Sequence, residues 1–340
     1  MSVEIGGEAR RIGLALSGGG FRAAAFHLGA MRKLHELKLL SRVDLVSCVS
    51  GGSIAGATMA MHWDDPSRGL AKLEEYLTTQ SEAVSSVLLG ILDPFRSRLD
   101  LLAEGYAEHI FGQLTLGDLQ KGPRLYLNAT NLATGKNFFF VTGSGGDWND
   151  VVMGDWALET SDARSFSVAK AVAASSSFPP VFPPLELEPD VYPPGAAVGY
   201  VTLTDGGVYD NMGIGPTLRP KNRLDYLIVS DGGSPLDWKV RPTEDSVLVL
   251  YSAIMITMQQ IRALELARLE SIKEAGKRPT PLWFSIDSEV GARIEGDGIR
   301  AGNVGTNLMK LDAPTMDLLT RHGGALVERR LHDYAPELVA

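Results

Sequence analysis

The chain has 340 residues, enough for one large domain or two ordinary ones, and 44% of them are hydrophobic and 21% charged. This composition predicts a globular protein with a large buried core. The net charge of -9 and the pI near 5.2 argue against nucleic-acid binding and against passive adsorption to anionic membranes, since both need a positive surface. The single cysteine, Cys48, excludes an intramolecular disulfide and a cysteine-based metal cluster.

The start of the chain predicts no secretory signal, because residues 1–13 lack an apolar core. The apolar stretch VSSVLLGIL at residues 84–92 is only about half of the ~18 residues that a membrane-spanning helix needs. We therefore expect a soluble, cytoplasmic protein, for which peripheral contact with a membrane remains an open option.

Two strand–turn–helix units follow one another near the start. Residues 12–16 read as a short buried strand that leads through a glycine loop into the helical pattern of residues 21–34. The same order recurs in VDLVSCV, SGGS and IAGATMAMHW. Two such units predict an α/β protein with a mainly parallel sheet and helices on its faces. Further strands are predicted at RLYLNAT, KNFFFVT, YVTLTD and LDYLIVSD.

Two connecting segments and one long helix complete the pattern. GSGGDWND predicts a hairpin or loop, and the seven prolines in residues 178–194 predict a rigid surface loop without helix. Residues 247–273 read as one long helix with several methionines on its apolar faces. Packing on the core is the favoured role for this helix, and contact with lipid is the alternative, because methionine adapts to irregular apolar partners.

The stretch VSCVSGGSIAG at residues 46–56 presents Ser50 at a strand-to-helix turn. Such a turn holds its central side chain out of the sheet near the positive end of the next helix, which suits a nucleophile and the anion it forms. Gly51 and Gly52 permit a tight turn, although Cys48 stands where G-x-S-x-G has glycine. By itself, the motif fits a catalytic turn and an ordinary glycine-rich connection equally well.

A second glycine-rich loop favours the catalytic interpretation. Gly18, Gly19 and Gly20 precede a helix, where their N–H groups can face a negatively charged oxygen. A nucleotide phosphate loop is the competing interpretation. It fits less well, because Ala23 replaces the third glycine of G-x-G-x-x-G and the P-loop lysine is missing.

A serine nucleophile needs a base, and the sequence offers three candidates. His322, in TRHGGAL, is predicted on a glycine-flanked turn and would complete the order Ser, Asp, His of an α/β-hydrolase triad. Asp205 and Asp231 each end a predicted strand and precede two glycines. Residue patterns alone do not separate these two aspartates.

Three motifs, LSGGGFRAAAFHLGAMRKL, CVSGGS and TDGGVYDN, occur in an order that resembles the patatin-like phospholipases. The resemblance extends over residues 12–233. It implies a three-layer α/β/α fold and a serine–aspartate dyad, without histidine, metal or cofactor, that hydrolyses ester bonds of lipids. The match of TDGGVYDN to the family pattern favours Asp205 over Asp231 as the base.

The resemblance also implies individual roles. Ser50 matches the nucleophile and Asp205 the base, while the backbone of Gly18, Gly19 and Gly20 matches the oxyanion hole. Arg22 matches a family arginine that binds substrate phosphate or steadies the loop. The implied substrate is a phospholipid or another lipid ester, with phospholipase A or lysophospholipase activity. Residues 12–235 would form the catalytic domain, and residues 236–340 a mostly helical C-terminal extension on the same core.

Two other functions stay open at this stage. A triad esterase of the α/β-hydrolase type would keep Ser50 and Asp205 and add His322. A non-catalytic lipid-binding protein would keep the fold with an idle site, because motifs alone do not guarantee an accessible pocket. The sequence leaves the oligomeric state open.

Overall fold

A computed structural model of the protein describes residues 3–5, 7–81, 97–143, 150–193, 198–233 and 244–339. The described strands are β1 Val3–Ile5, β2 Glu8–Arg10, β3 Ile12–Leu16, β4 Val43–Val49, β5 Arg124–Asn131, β6 Lys136–Thr142, β7 Val152–Asp155, β8 Ser161–Asp162, β9 Leu185–Leu187, β10 Val201–Asp205, β11 Tyr226–Asp231 and β12 Thr280–Ser285. The described α-helices are α1 Gly20–Glu36, α2 Gly51–Met61, α3 Pro66–Thr79, α4 Arg98–Tyr106, α5 Val168–Ser175, α6 Gly207–Asp210, α7 Ile214–Thr217, α8 Ser246–Glu274, α9 Asp297–Gly302 and α10 Ala313–Tyr334.

One large sheet organises the molecule, with the strand order β12-β11-β3-β4-β5-β6-β7-β8. Neighbours are parallel from β12 to β5 and antiparallel from β5 to β8. Strand β10 pairs antiparallel with both β5 and β9. The parallel half contains both predicted strand–turn–helix units and ends at β5, which pairs with both β4 and β10.

Helices cover both faces of the sheet. Because side chains alternate along a strand, Leu14 and Leu16 of β3 pack into one core cluster while Ala15 packs into another. Helices α1 and α10 lie on the face of Leu14, and helix α7 contributes Ile214 to the cluster on the opposite face. The predicted α/β fold with helices on both faces of a mainly parallel sheet is confirmed.

The four further strands predicted from apolar runs are present as β5, β6, β10 and β11. The proline-rich segment is not a simple surface loop, because β9 lies within it and pairs with β10. Phe182, Leu187 and Tyr192 of this segment are buried. The apolar stretch 84–92 lies outside the described residues, as does most of GSGGDWND.

The C-terminal part of the chain adds both a strand and a helical layer. Strand β12 extends the parallel half of the sheet beside β11, and α10 packs along α1. Residues from both sides of position 236 therefore share one sheet and one core.

The long helix predicted at residues 247–273 is present as α8, but its favoured role in the core is wrong for most of its length. Leu269 is the one fully buried side chain described on this helix. Its amphipathic pattern is weak, because its first half is uncharged and mostly apolar and has no continuous polar face for solvent. Among the described residues, no helix combines the length and hydrophobicity needed to cross a bilayer.

Candidate active site

Ser50 occupies the turn between β4 and α2. Its backbone has φ 51° and ψ -117°, a conformation that is strained for a residue with a side chain. The next two residues must be glycine, because a Cβ on Gly51 would lie 2.1 Å from the Gly20 carbonyl oxygen and one on Gly52 2.2 Å from that of Leu16. The glycines thus let the serine turn pack directly against the first glycine loop.

Strand β5 brings Ser50 and Asp205 together. Val49, the last residue of β4, pairs with Asn128, and Asp205, the last residue of β10, pairs with Ala129. Both strands use the same edge of β5, since β6 occupies the other edge. Strands β4 and β10 therefore meet end to end, which places Ser50 beside the Asp205 carboxylate.

The Asp205 carboxylate is buried and hydrogen-bonded. Its Oδ1 accepts the Gly207 N–H at 2.7 Å, and the Ser50 hydroxyl is a second hydrogen-bonding partner. Burial raises the pKa of Asp205 to about 7, because it disfavours the charged form more strongly than these two hydrogen bonds favour it. A carboxylate with this pKa is a much stronger base than an ordinary aspartate.

The first glycine loop lies on the other side of Ser50. Gly19 and Gly20 have φ values of 137° and 62°, which residues other than glycine rarely adopt. Their N–H groups have no hydrogen-bond partner among the described residues, whereas the Gly18 N–H donates to the Asn211 carbonyl at 2.9 Å. Gly19 and Gly20 thus have free donors next to Ser50, and the donor of Gly18 is already occupied.

Buried polar groups hold this loop in place. The Gly232 N–H donates to Ser17 Oγ at 2.8 Å, and His27 Nε2 lies 2.9 Å from the Ser17 carbonyl oxygen. His27 Nδ1 lies 2.8 Å from Ser230 Oγ. Burial lowers the pKa of His27 to about 4, so the ring is neutral at neutral pH. His27 therefore ties the loop to β11 without bringing a charge near Ser50.

Arg22 is buried and braces the same loop. Its Nη2 donates to the Gly232 carbonyl at 3.0 Å and its Nη1 to the Val304 carbonyl at 2.8 Å. Burial lowers the pKa of Arg22 to about 10, although the negative charge of Asp231 counteracts this shift. The guanidinium thus stays charged at neutral pH and also lines the cavity beside Ser50.

Asp231, the other candidate base, has a different partner. Its Oδ2 accepts the Arg262 Nε–H at 2.6 Å, and its Oδ1 accepts the Gly233 N–H at 3.0 Å. Arg262 also donates to Ser285 Oγ at 2.6 Å. Asp231 is therefore part of a buried ion pair that connects β11 with α8.

The expectation that His322 lies on a turn is wrong, because it is within helix α10. Its Nε2 lies 3.0 Å from the Ile286 carbonyl oxygen, and its ring packs 5.9 Å from that of Phe26. The following glycine permits close helix packing, since a Cβ on Gly323 would lie 2.2 Å from the Phe26 carbonyl oxygen. His322 does not line the cavity that contains Ser50 and Asp205.

A cavity of about 320 Å³ opens onto Ser50 and Asp205. Gly19, Gly20 and Arg22 line the same space. Its walls also carry large apolar side chains, namely Phe178, Phe182, Tyr251, Met255, Met258 and Leu308. The cavity therefore combines a serine, a buried carboxylate and free N–H donors with an apolar surface suited to hydrocarbon.

Three supporting residues were missed by the sequence interpretation. The Ser50 N–H donates to Ser175 Oγ at 3.0 Å, and Ser175 Oγ donates to the Asn128 carbonyl at 2.6 Å. The first two are Ser175 and Asn128, and the third is Arg262. Arg262 could have been identified from the sequence as the first charged residue after a long uncharged stretch. Ser175 lies in AASSSFPP, where three adjacent serines gave no indication of which one supports the turn.

Comparison with solved structures shows a similar fold in human GIVD cytosolic phospholipase A2. The structure of that protein alone matches with a TM-score of 0.62 and 13% identity, over 97% of this chain and 60% of the human one. Its complex with methyl gamma-linolenyl fluorophosphonate matches with a TM-score of 0.59 and 14% identity, over 97% and 58%. This chain thus spans about three-fifths of the human protein.

The sequence comparisons identify the family. No curated protein sequence is a significant match to the chain. A family model described as patatin-like phospholipase matches residues 14–218, which are more than half of the chain and include both Ser50 and Asp205. The chain therefore belongs to the patatin-like phospholipase family.

Proposed function

We propose that the protein is a lipid acyl hydrolase that cleaves carboxylic esters with Ser50 as nucleophile and Asp205 as base. The observation that carries this proposal is the hydrogen bond between the Ser50 hydroxyl and a buried carboxylate, inside a cavity with an apolar wall. Membership of the patatin-like phospholipase family supports the same reaction class.

In the first half of the reaction, Ser50 Oγ attacks the ester carbonyl carbon while Asp205 accepts the hydroxyl proton. The carbonyl oxygen becomes an oxyanion, which the N–H groups of Gly19 and Gly20 stabilise. When the intermediate collapses, the carbon–oxygen ester bond breaks and Asp205 returns the proton to the departing alcohol. The acyl group remains on Ser50.

In the second half, water attacks the acyl-serine and Asp205 accepts a proton from that water. The same two N–H groups stabilise the second oxyanion. Collapse of this intermediate releases the fatty acid and returns the proton to Ser50. The complete reaction consumes one water molecule, and Asp205 carries the proton in each step.

A lipid ester is the substrate class that we propose, of the phospholipase A or lysophospholipase type. The apolar walls formed by Phe178, Met255 and Met258 suit an acyl chain, because enclosing hydrocarbon removes apolar surface from water. Such substrates reside in membranes, so we propose a cytoplasmic protein that contacts a membrane surface transiently. Residues 12–235 supply the dyad, and residues 236–340 supply part of the cavity wall.

Labelling with a fluorophosphonate probe tests this proposal. The wild-type protein should be labelled, and Ser50→Ala should abolish labelling and lower ester hydrolysis by several orders of magnitude. Ser176→Ala is the matched control, because Ser176 lines the same cavity and should leave labelling intact. Comparing a diacyl phospholipid with a lysophospholipid then assigns the type of activity.

An unlabelled wild-type protein would favour the non-catalytic lipid-binding alternative. Labelling that persists in Ser50→Ala would identify another nucleophile. Either result contradicts the proposal, provided that circular dichroism and a thermal melt show the variant to be folded.

A further inference from the structure

The first half of helix α8 has an unusual surface. Residues 246–261 carry no charged side chain, over a length of about 24 Å. A helical stretch that is uncharged and mostly apolar is normally buried in a protein core or in lipid. In this protein no described residue from Ser246 to Arg268 is fully buried. The mostly apolar surface of residues 246–261 is therefore exposed to water, which is unfavourable.

Large apolar side chains are exposed along this stretch. They are Leu248 at 54%, Val249 at 46%, Leu250 at 63%, Tyr251 at 38% and Ile256 at 53% exposure. We call these five residues the α8 patch. Exposed apolar groups clustered in this way mark sites that are covered by a ligand, a partner or a membrane.

The α8 patch is continuous with the candidate active-site cavity. Tyr251 belongs to both, and Met255 and Met258 on the next turns line the cavity wall. The Tyr251 ring packs edge-on against Phe178, with 6.3 Å between ring centroids. Val181, another cavity residue, is also exposed, at 41%. Whatever covers the patch therefore reaches the rim of the cavity.

The second half of α8 is attached to the core by polar contacts. Arg262 is ion-paired with Asp231, and one turn further Glu265 is hydrogen-bonded to Asp210. These contacts fix the helix at the end distant from Leu250. The anchored half thus fixes the position of the uncharged half at the cavity rim.

From these observations we infer that the α8 patch inserts into the surface of a zwitterionic lipid layer and so places the cavity rim against the substrate source. This inference rests on the proposed lipid ester hydrolysis. In the described part of this helix no cation precedes Arg262, so none in the patch selects anionic headgroups, and Glu244 and Asp245 precede it directly. The net charge of -9 further disfavours an anionic surface. Tyr251, at the junction of patch and cavity, has the amphipathic ring that suits a membrane–water interface.

Vesicle flotation with the Ser50→Ala protein and phosphatidylcholine vesicles tests the inference without any need for turnover. Leu250→Glu should lower the fraction bound by about tenfold or more, because an inserted leucine is replaced by a charge. The matched control is Leu264→Glu on the same helix, which should leave binding unchanged. Leu264 is 70% exposed but lies about 21 Å further along, beyond Arg262.

Two further measurements keep the test decisive if a glutamate variant folds poorly. Leu250→Trp should retain vesicle binding, and its fluorescence should shift to the blue when vesicles are added. High salt should leave binding intact, because no ion pairs with headgroups are involved.

The inference is overturned if Leu250→Glu and Leu264→Glu reduce binding equally, or if binding requires anionic lipid. It is also overturned if sedimentation velocity shows a dimer that Leu250→Glu dissociates while vesicle binding is unaffected. In that case a second copy of the chain covers the patch. Turnover of a soluble short-chain ester reports separately on the proposed chemistry, and Leu250→Glu should not change it.

Discussion

Arg262 on α8 is ion-paired with Asp231 at the end of β11, with 2.6 Å between Nε and Oδ2. This contact distinguishes the two aspartates that strand and glycine patterns alone did not separate. Asp231 has a permanent cationic partner, whereas Asp205 faces the Ser50 hydroxyl. Their substitution should therefore have opposite effects on activity and stability.

We expect Asp205→Asn to be nearly inactive yet as stable as the wild type, because it removes the proposed base and a buried charge together. Asp231→Asn should keep most of the activity of the folded protein but lose stability, since Arg262 loses its buried ion pair and keeps only Ser285 and the more distant Asp287. The loss should be about 3–5 kcal/mol in the free energy of unfolding. Urea unfolding and ester turnover, measured on both variants, check this. High activity in folded Asp205→Asn would exclude the dyad.

His322 provides the test of dyad against triad. Because the ring lies within α10 and outside the Ser50 cavity, His322→Ala should keep at least about a tenth of the wild-type kcat/KM, a barrier change of no more than ~1.4 kcal/mol. Its melting temperature should fall, since the truncation leaves a void beside Phe26. Steady-state kinetics below that melting temperature separate the two effects. A folded but inactive variant would support a triad hydrolase.

The pH dependence of hydrolysis should follow the ionisation of Asp205. Burial raises its pKa to about 7, and only the ionised carboxylate can accept the serine proton. Below that pKa, kcat/KM for a neutral soluble ester should rise about tenfold per pH unit, and it should level off above it. A rate profile that is flat through neutral pH would show that Asp205 is not the base.

Arg22→Ala distinguishes bracing of the glycine loop from recognition of phosphate. The side chain is committed to the Gly232 and Val304 carbonyls, so we expect hydrolysis of a neutral ester and of a phospholipid to fall by similar factors. The loss should appear mainly in kcat, because the free N–H groups of Gly19 and Gly20 would be less well positioned. A phospholipid-specific loss in KM would instead assign Arg22 to headgroup binding.

Glu265 should make stability depend on pH. Burial raises the pKa of Glu265 to about 11, and the nearby Asp210 charge adds to the shift. The unfolded chain releases this proton near its ordinary pKa of 4.5, while the folded protein retains it. Stability from this group is therefore greatest below pH 4.5 and declines as the pH rises toward the folded-state pKa.

Glu265→Gln should weaken this dependence, because the amide can donate to Asp210 and has no proton to release. Thermal melts at mildly alkaline pH check the difference, because Asp205, whose pKa is about 7, is mostly ionised there and contributes little further change. Equal slopes of melting temperature against pH in the two proteins would contradict the expectation.

The strands and the residues next to Ser50 could be predicted because local patterns determine them. Apolar runs bounded by glycine pairs marked β4 and β10, and the ends of both strands carry the candidate dyad. Their meeting could not be predicted, since it depends on β5 pairing with both strands along one edge. The resemblance to the family motifs, and not the strand pattern, was what paired Ser50 with Asp205.

Glycines and charges outside the motifs were harder to interpret. The pair after His322 suggested a turn, but the structure uses Gly323 to bring α10 against α1, a requirement that exists only between elements distant in sequence. Arg262 likewise has its partner 31 positions earlier. Periodicity located α8 correctly but did not reveal that its uncharged half is exposed.

The backbone at Ser50 sets the stability of the fold against the proposed role of the serine. Its φ of 51° and ψ of -117° cost about 1–3 kcal/mol in a residue that carries a Cβ, and glycine would adopt them without that penalty. The least strained residue at this position is thus glycine, which has no hydroxyl. Selection for heat resistance alone would favour glycine at this turn, so a serine is expected here only where its hydroxyl has a function, such as the proposed nucleophilic attack.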